Sequence, residues 1–175
     1  MIQEQTLKKE FNFNSDILNK KLKDGRNYTI RRSRKRYFFP DEWKQFIKSL
    51  RENNKLLYEF LFNTGSRFEE AIYIRPVDFD FNRENVKLWK TKTKAKKGQT
   101  FGEPRTINLS SKFCKRIKKY CESFKPEEYI FKSSVQAANQ LIKRRLKSLG
   151  VKDYYNFSTH NIRKTHGMYL KALGI

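Results

Sequence analysis

Between residues 77 and 89 the hydrophobic period of this chain changes, and that change limits the folds open to it. VDFDF (Val77 to Phe81) and VKLW (Val86 to Trp89) alternate apolar and polar residues, the two-residue period of a strand. NREN between them supplies a turn. Both flanks carry helical spacing instead. Pro40, Asp41 and Glu42 open a first turn, and Trp43, Phe46, Ile47 and Leu50 recur at helical intervals. Leu56, Leu57, Phe60 and Leu61 predict a second helix over about 55–64, with Gly65 as its stop. Ser66 to Glu69 then reads as a capping box that starts a third, modest helix, and Pro76 breaks the pattern. Beyond VKLW, a lysine-rich stretch from Lys90 to Gly102 leads to a third strand, PRTINL. Two long helices are predicted at about 111–123 and 134–149, the second ended by Gly150, and Ser158 caps a last helix running to Leu173. Helices, a small antiparallel sheet, then helices again make the expected class α+β, mainly α.

The chain has the means to fold this way. Of its 175 residues 37% are apolar, with 15 Phe, 9 Tyr and 2 Trp, enough for one compact domain with a core. Residues 1–36 stand apart from that domain. They are polar, carry Gly25 and end in RRSRKR (Arg31 to Arg36), so they read as a basic extension or linker with room for one short helix. Its basic end could lie along phosphates or remain a solvated linker. Residues 37–175 form the expected domain.

Charge narrows the partner. Forty Lys and Arg against 18 Asp and Glu leave a formal charge of +22 and a pI near 10.1. A self-repelling field of that size is normally neutralised by a polyanion: DNA, RNA or an acidic membrane surface. The bland alternative is a lysine-rich surface that only confers solubility. No run of apolar residues reaches the 18 or so needed to cross a bilayer, and the N-terminus is polar, so an intracellular, cytoplasmic protein is expected. Cys114 and Cys121 are seven residues apart in a helical stretch, roughly 10 Å and on one face, which suits buried free thiols better than a disulfide. With two His and no CxxC, a zinc site has no support.

Three stretches could carry chemistry. In TGSRFEEA (Thr64 to Ala71) a helix ends, the chain turns and a new helix starts, placing Arg67 near free backbone N–H groups that favour an anion. Arg67 could equally be a surface arginine beside Glu69 or Glu70. In STHNIRKTHGMYL (Ser158 to Leu170) His160 and Arg163 share a face in the first turn, a titratable group beside a phosphate-binding fork. The plainer reading is a solvated helix start with a structural histidine. In KTKTKAKKG the cations Lys90, Lys92, Lys94, Lys96 and Lys97 crowd a loop between strands that could reach a DNA phosphate or simply be solvated.

In order and spacing these elements resemble the catalytic domain of the tyrosine recombinases, the phage integrase family, over about residues 37–175. TGSRFEEA resembles that family's first-arginine box TGxRxxE, with Glu70 at the acidic position. PVDFDF resembles its first strand. The strand, lysine loop and strand closing on PRTINL resemble its catalytic-lysine hairpin. HNIRKTHGMYLKALGI resembles the second-arginine box HxLRHTxAxxLxxxG.

The resemblance implies a helical catalytic domain with a small three-stranded antiparallel sheet. It implies site-specific DNA cleavage and rejoining through a 3′-phosphotyrosine, without metal or other cofactor and without a small-molecule substrate. Double-stranded DNA would be the partner, together with other recombinase protomers. Arg67 and Arg163 would clamp the scissile phosphate, and His160 would transfer a proton. Lys92, with Lys90 and Lys94 as alternatives, would be the general acid for the leaving 5′ oxygen. Lys90, Lys94 and Arg105 would contact DNA. Two departures qualify the resemblance. The chain ends before the segment in which the family carries its nucleophilic tyrosine, and residues 1–36 are too few for the family's usual helical core-binding domain. Tyr169 does not substitute, since six residues past Arg163 place it about 240° around the helix. His166 falls where the family has an ordinary residue. Residues 1–175 are therefore expected to bind DNA as a monomer without cutting it. The alternatives are a non-catalytic DNA-binding regulator derived from a recombinase and, on charge alone, an RNA-binding protein.

Overall fold

The computed structural model describes residues 18–21, 27–30, 37–89 and 103–174. Two short strands, β1 (Leu18–Lys21) and β2 (Asn27–Ile30), pair antiparallel, Leu18 opposite Ile30. Where the sequence left room for a helix in residues 1–36, the described part is therefore a ladder. Next come α1 (Pro40–Lys48), α2 (Glu52–Thr64) and the single turn α3 (Phe68–Ala71). Strands β3 (Phe79–Asp80), β4 (Asn85–Leu88) and β5 (Arg105–Asn108) form an antiparallel sheet in the order β3-β4-β5. The chain closes with α4 (Ser111–Cys121), α5 (Val135–Ser148) and α6 (Thr159–Ala172).

Local chemistry explains most boundaries. Pro40 opens α1, where its missing N–H is no loss, and the Glu42 carboxylate accepts the Phe39 N–H at 3.0 Å. Gly65, at φ 56, takes the left-handed conformation that ends α2. The capping residues of α3 are shifted by one from the sequence expectation. Arg67 is the N-cap, and Glu70 rather than Glu69 reaches back to its N–H, at 2.7 Å. The first strand is also shorter than expected, because Pro76–Asp78 is a 3-10 turn and Val77 falls within it.

Burial of large aromatics holds the helices together. Phe38 packs against Phe46 and Phe157 at ring separations of 5.3 and 4.7 Å. Phe60 contacts Phe79, Phe113 and Phe131, joining α2 to the sheet and to α4. Tyr58 is buried and its hydroxyl donates to the Ala138 carbonyl at 2.8 Å, so the polar end of the ring is satisfied. Each fully buried apolar side chain of this kind stabilises the fold by roughly 1.5–3 kcal/mol. Cys114 and Cys121 are both buried and free, and burial pushes the Cys121 thiol up to about 12.

Three contacts fix the elements that matter below. Helix α6 packs along α2. The Phe38 N–H donates to the Thr165 hydroxyl at 2.9 Å, tying the start of the domain to α6. The buried Asp78 carboxylate accepts from the Arg75 backbone at 2.8 Å, the Arg75 Nη2 at 3.0 Å and the Trp89 Nε1 at 2.8 Å. Those bonds hold the outer end of β4 where the lysine loop departs. Among the described residues, no helix is long and apolar enough to cross a membrane.

Candidate functional site

Gly65 turns the chain out of α2, and Arg67 emerges two residues later. Ser66 is buried and its hydroxyl is linked to that of Thr64 at 2.8 Å, so the serine locks the turn rather than capping α3. The N-terminus of α3 is consequently not open to an anion as the sequence suggested, because the Glu70 carboxylate occupies it.

That carboxylate organises the site. Its side chain is 2% exposed. Oε1 accepts from the Arg67 Nη1 at 3.0 Å, and Oε2 accepts from the Arg105 Nη2 at 2.7 Å. The Arg163 Nη1 lies 4.0 Å from Oε2 and donates to the Gly65 carbonyl at 2.6 Å. Three guanidiniums thus surround one carboxylate, and their side chains keep 44%, 37% and 32% of their surface exposed. Three positive charges and one negative leave a local excess of two. Burial pulls the Arg163 guanidinium below its ordinary value, the like charges of Arg67 and Arg105 add to that, and Glu70 opposes it. An anion with two or three oxygens would relieve this repulsion and find forked donors.

Helix α6 supplies the rest. The Asn161 side chain accepts from the Ser158 N–H and hydroxyl, both at 2.8 Å, and fixes the first turn. His160 projects from that turn and is exposed. Its basicity is lowered first by partial desolvation where it meets the domain and then by the positive charges of Lys164, Arg163 and Arg67. An imidazole kept neutral beside three cations can accept or pass on a proton near neutral pH.

The structure brings together Arg67, Arg105 and Arg163, with His160 within their field. Lys90, Lys92 and Lys94 lie outside the described residues. Arg105 pairs with Leu88 at the last rung of the β4–β5 ladder, which puts the ends of both strands beside the arginine cluster. Two participants were not legible in the sequence. The Gly65 carbonyl meets Arg163 across 98 positions. His166, read as an ordinary position, is half-buried against the end of α2, its ring edge-on to Phe62 at 6.4 Å. Among the described residues no group of three or more His, Cys, Asp or Glu could hold a metal ion.

The model of the phage integrase family matches residues 36–175. The fold is similar to that of the Tn1549 transposon integrase, solved in complex with transposon right end DNA, with a TM-score of 0.64 at 15% identity over 81% of this chain and 55% of that one. It is also similar to the XerA recombinase, with a TM-score of 0.61 at 17% identity over 78% of this chain and 50% of that one. A third likeness is to the XerH site-specific recombinase bound to its difH substrate, with a TM-score of 0.59 at 15% identity over 86% and 48%. The chain spans about half the length of these structures. No curated protein matches the chain.

Proposed function

The chain belongs to the phage integrase family, and on that premise we propose that residues 37–175 bind double-stranded DNA and hold the scissile phosphate for site-specific strand cleavage and rejoining. The observation that supports this reading is the convergence of Arg67, Arg105 and Arg163 on the buried Glu70 carboxylate. A carboxylate in that position sets the guanidiniums in place while leaving them a net positive charge to offer. Arg67 and Arg163 would each present a fork to the non-bridging oxygens, where negative charge grows during phosphoryl transfer. Arg105, at the root of the lysine loop, would contact DNA alongside them. His160 would hold or move a proton at the phosphate. Lys92, or its neighbour Lys90 or Lys94, would protonate the leaving 5′ oxygen. The bond broken is the phosphodiester, and the bond formed joins the 3′ phosphate to a tyrosine oxygen.

In this reading the tyrosine comes from outside residues 1–175, so these residues alone bind DNA without attaching to it. Titration of a labelled duplex over a range of salt tests the clamp. Arg67→Ala and Arg163→Ala should each weaken binding and reduce the slope of log K against log salt by about one. Unchanged affinity and slope in both variants would show that neither arginine touches phosphate. A covalent protein–DNA species on a denaturing gel would show instead that a tyrosine within these residues serves as the nucleophile.

A further inference from the structure

His166 lies one turn beyond Arg163 on α6, on the side facing the end of α2. Three observations define its surroundings. The Phe62 backbone, in the last turn of α2 where carbonyls lack partners inside the helix, lies against its ring and raises its basicity. The same ring stands perpendicular to the Phe62 ring. It also fills the space beneath Gly65: a Cβ placed there would fall 2.8 Å from His166 Nε2, and closer still to Cδ2. Gly65 is therefore held from two sides by one helix. His166 packs under its Cα, and Arg163 donates to its carbonyl at 2.6 Å. The chain then reaches Arg67 within two residues. Any displacement of Gly65 would be passed to both arginines.

We propose that His166 is a positioning residue for the arginine clamp, holding the Gly65 turn so that its carbonyl fixes Arg163. The charges that face His166 are those of Arg163 and Arg105, and both favour a neutral ring. A neutral imidazole keeps one N–H to offer the Phe62 backbone while adding nothing to the repulsion among the arginines. Phe or Leu here could fill the space but could offer that backbone no donor. Tyr would need more room than the Gly65 contact leaves.

This inference rests on the reading that Arg163 binds DNA phosphate, and a double-mutant cycle separates the two. The proteins are wild type, Arg163→Ala, His166→Ala and the double variant, each checked by circular dichroism and titrated with a labelled duplex at several salt concentrations. Each single variant should lose affinity on the order of tenfold, and each should lose about one unit of salt slope. The double variant should be no worse than Arg163→Ala alone, because both changes remove the same contact. A double variant weakened by the product of the two single losses would overturn the proposal. So would a His166→Ala protein that binds like wild type while Arg163→Ala does not, an outcome that leaves the clamp standing. If Arg163→Ala itself binds like wild type, the clamp reading fails and this inference with it. Should His166→Ala not fold, His166→Phe takes its place in the cycle, since it keeps a ring in the space and loses only the donor.

Discussion

Replacing Glu70 by Gln removes the charge that three arginines share while keeping an oxygen for the Arg67 N–H. The close partners are at 3.0 Å (Arg67 Nη1), 2.7 Å (Arg105 Nη2) and 4.0 Å (Arg163 Nη1). At an effective dielectric of about 20, unit charges 4 Å apart interact by about 4 kcal/mol. The three arginine side chains are 32–44% exposed, so water screens much of that attraction. Breaking a buried pair generally costs about 3–5 kcal/mol. With this screening, and with the backbone acceptor preserved, Glu70→Gln should cost about 2–3 kcal/mol. For a domain of this size that is a fall of roughly 5–10 °C in Tm. The assay is thermal melting in a low-salt buffer without phosphate or sulfate. Glu69→Gln serves as the control, since Glu69 is exposed and its change should stay within about 0.5 kcal/mol. Inorganic phosphate should restore more of the loss in Glu70→Gln than it adds to wild type, because the anion supplies the charge that was removed. Equal melting of the two variants would refute the shared-carboxylate account. A loss that phosphate does not touch would trace the effect to packing instead.

Two further outcomes follow from the same region. Gly65→Ala should cost about 2–3 kcal/mol in urea unfolding, from the left-handed backbone and the displaced His166 ring, whereas Gly150→Ala should cost only about 1. Gly150 is also left-handed, at φ 77, but a Cβ there meets nothing within 4 Å, so equal losses would dismiss the His166 contact. The fold lowers the proton affinity of both His160 and His166 below the ordinary 6.5. As pH falls below that value the unfolded chain takes up protons first, so stability present above about pH 6.5 should decline toward pH 5.5. His166→Phe should flatten that decline between pH 7.5 and 5.5, and an unaltered slope would place it elsewhere.

What could be read from the sequence was local. Trp43, Phe46, Ile47 and Leu50 repeat at helical intervals, Val86 and Leu88 alternate with Lys87, and Gly65 marks a helix end, so helix α1, strand β4 and the turn before Arg67 were all legible. The pair β1–β2 was not, because LNKK carries no alternation and NYTI alternates over only four residues. The capping register was ambiguous for a physical reason. Glu69 and Glu70 are adjacent, and either fits a residue three positions earlier. Burial against Arg105 and Arg163 selects Glu70, and those partners arrive from β5 and α6. Arg67 and Arg163 announced themselves by their helix starts. Arg105 was reached only through the resemblance and His166 was not reached at all, since what distinguishes them is contact with residues far along the chain. The Arg105 partner is 35 positions away, and no periodicity encodes it.

The arrangement around Glu70 carries a further implication for the proposed chemistry. A phosphodiester bears one negative charge, and more charge gathers on its free oxygens as the bond to the leaving oxygen breaks. Arg67, Arg105 and Arg163 less Glu70 amount to two positive charges, more than the resting diester needs. Interactions that strengthen only as charge develops lower the barrier, whereas those matched to the resting diester would only tighten binding. Without Glu70 the three guanidiniums would repel one another apart. With a second carboxylate one positive charge would remain, matched to the resting diester and with nothing in reserve for the charge that develops. One buried carboxylate, closed to solvent and shared by three donors, holds the arginines close and still leaves them charged, as the proposed phosphoryl transfer would require.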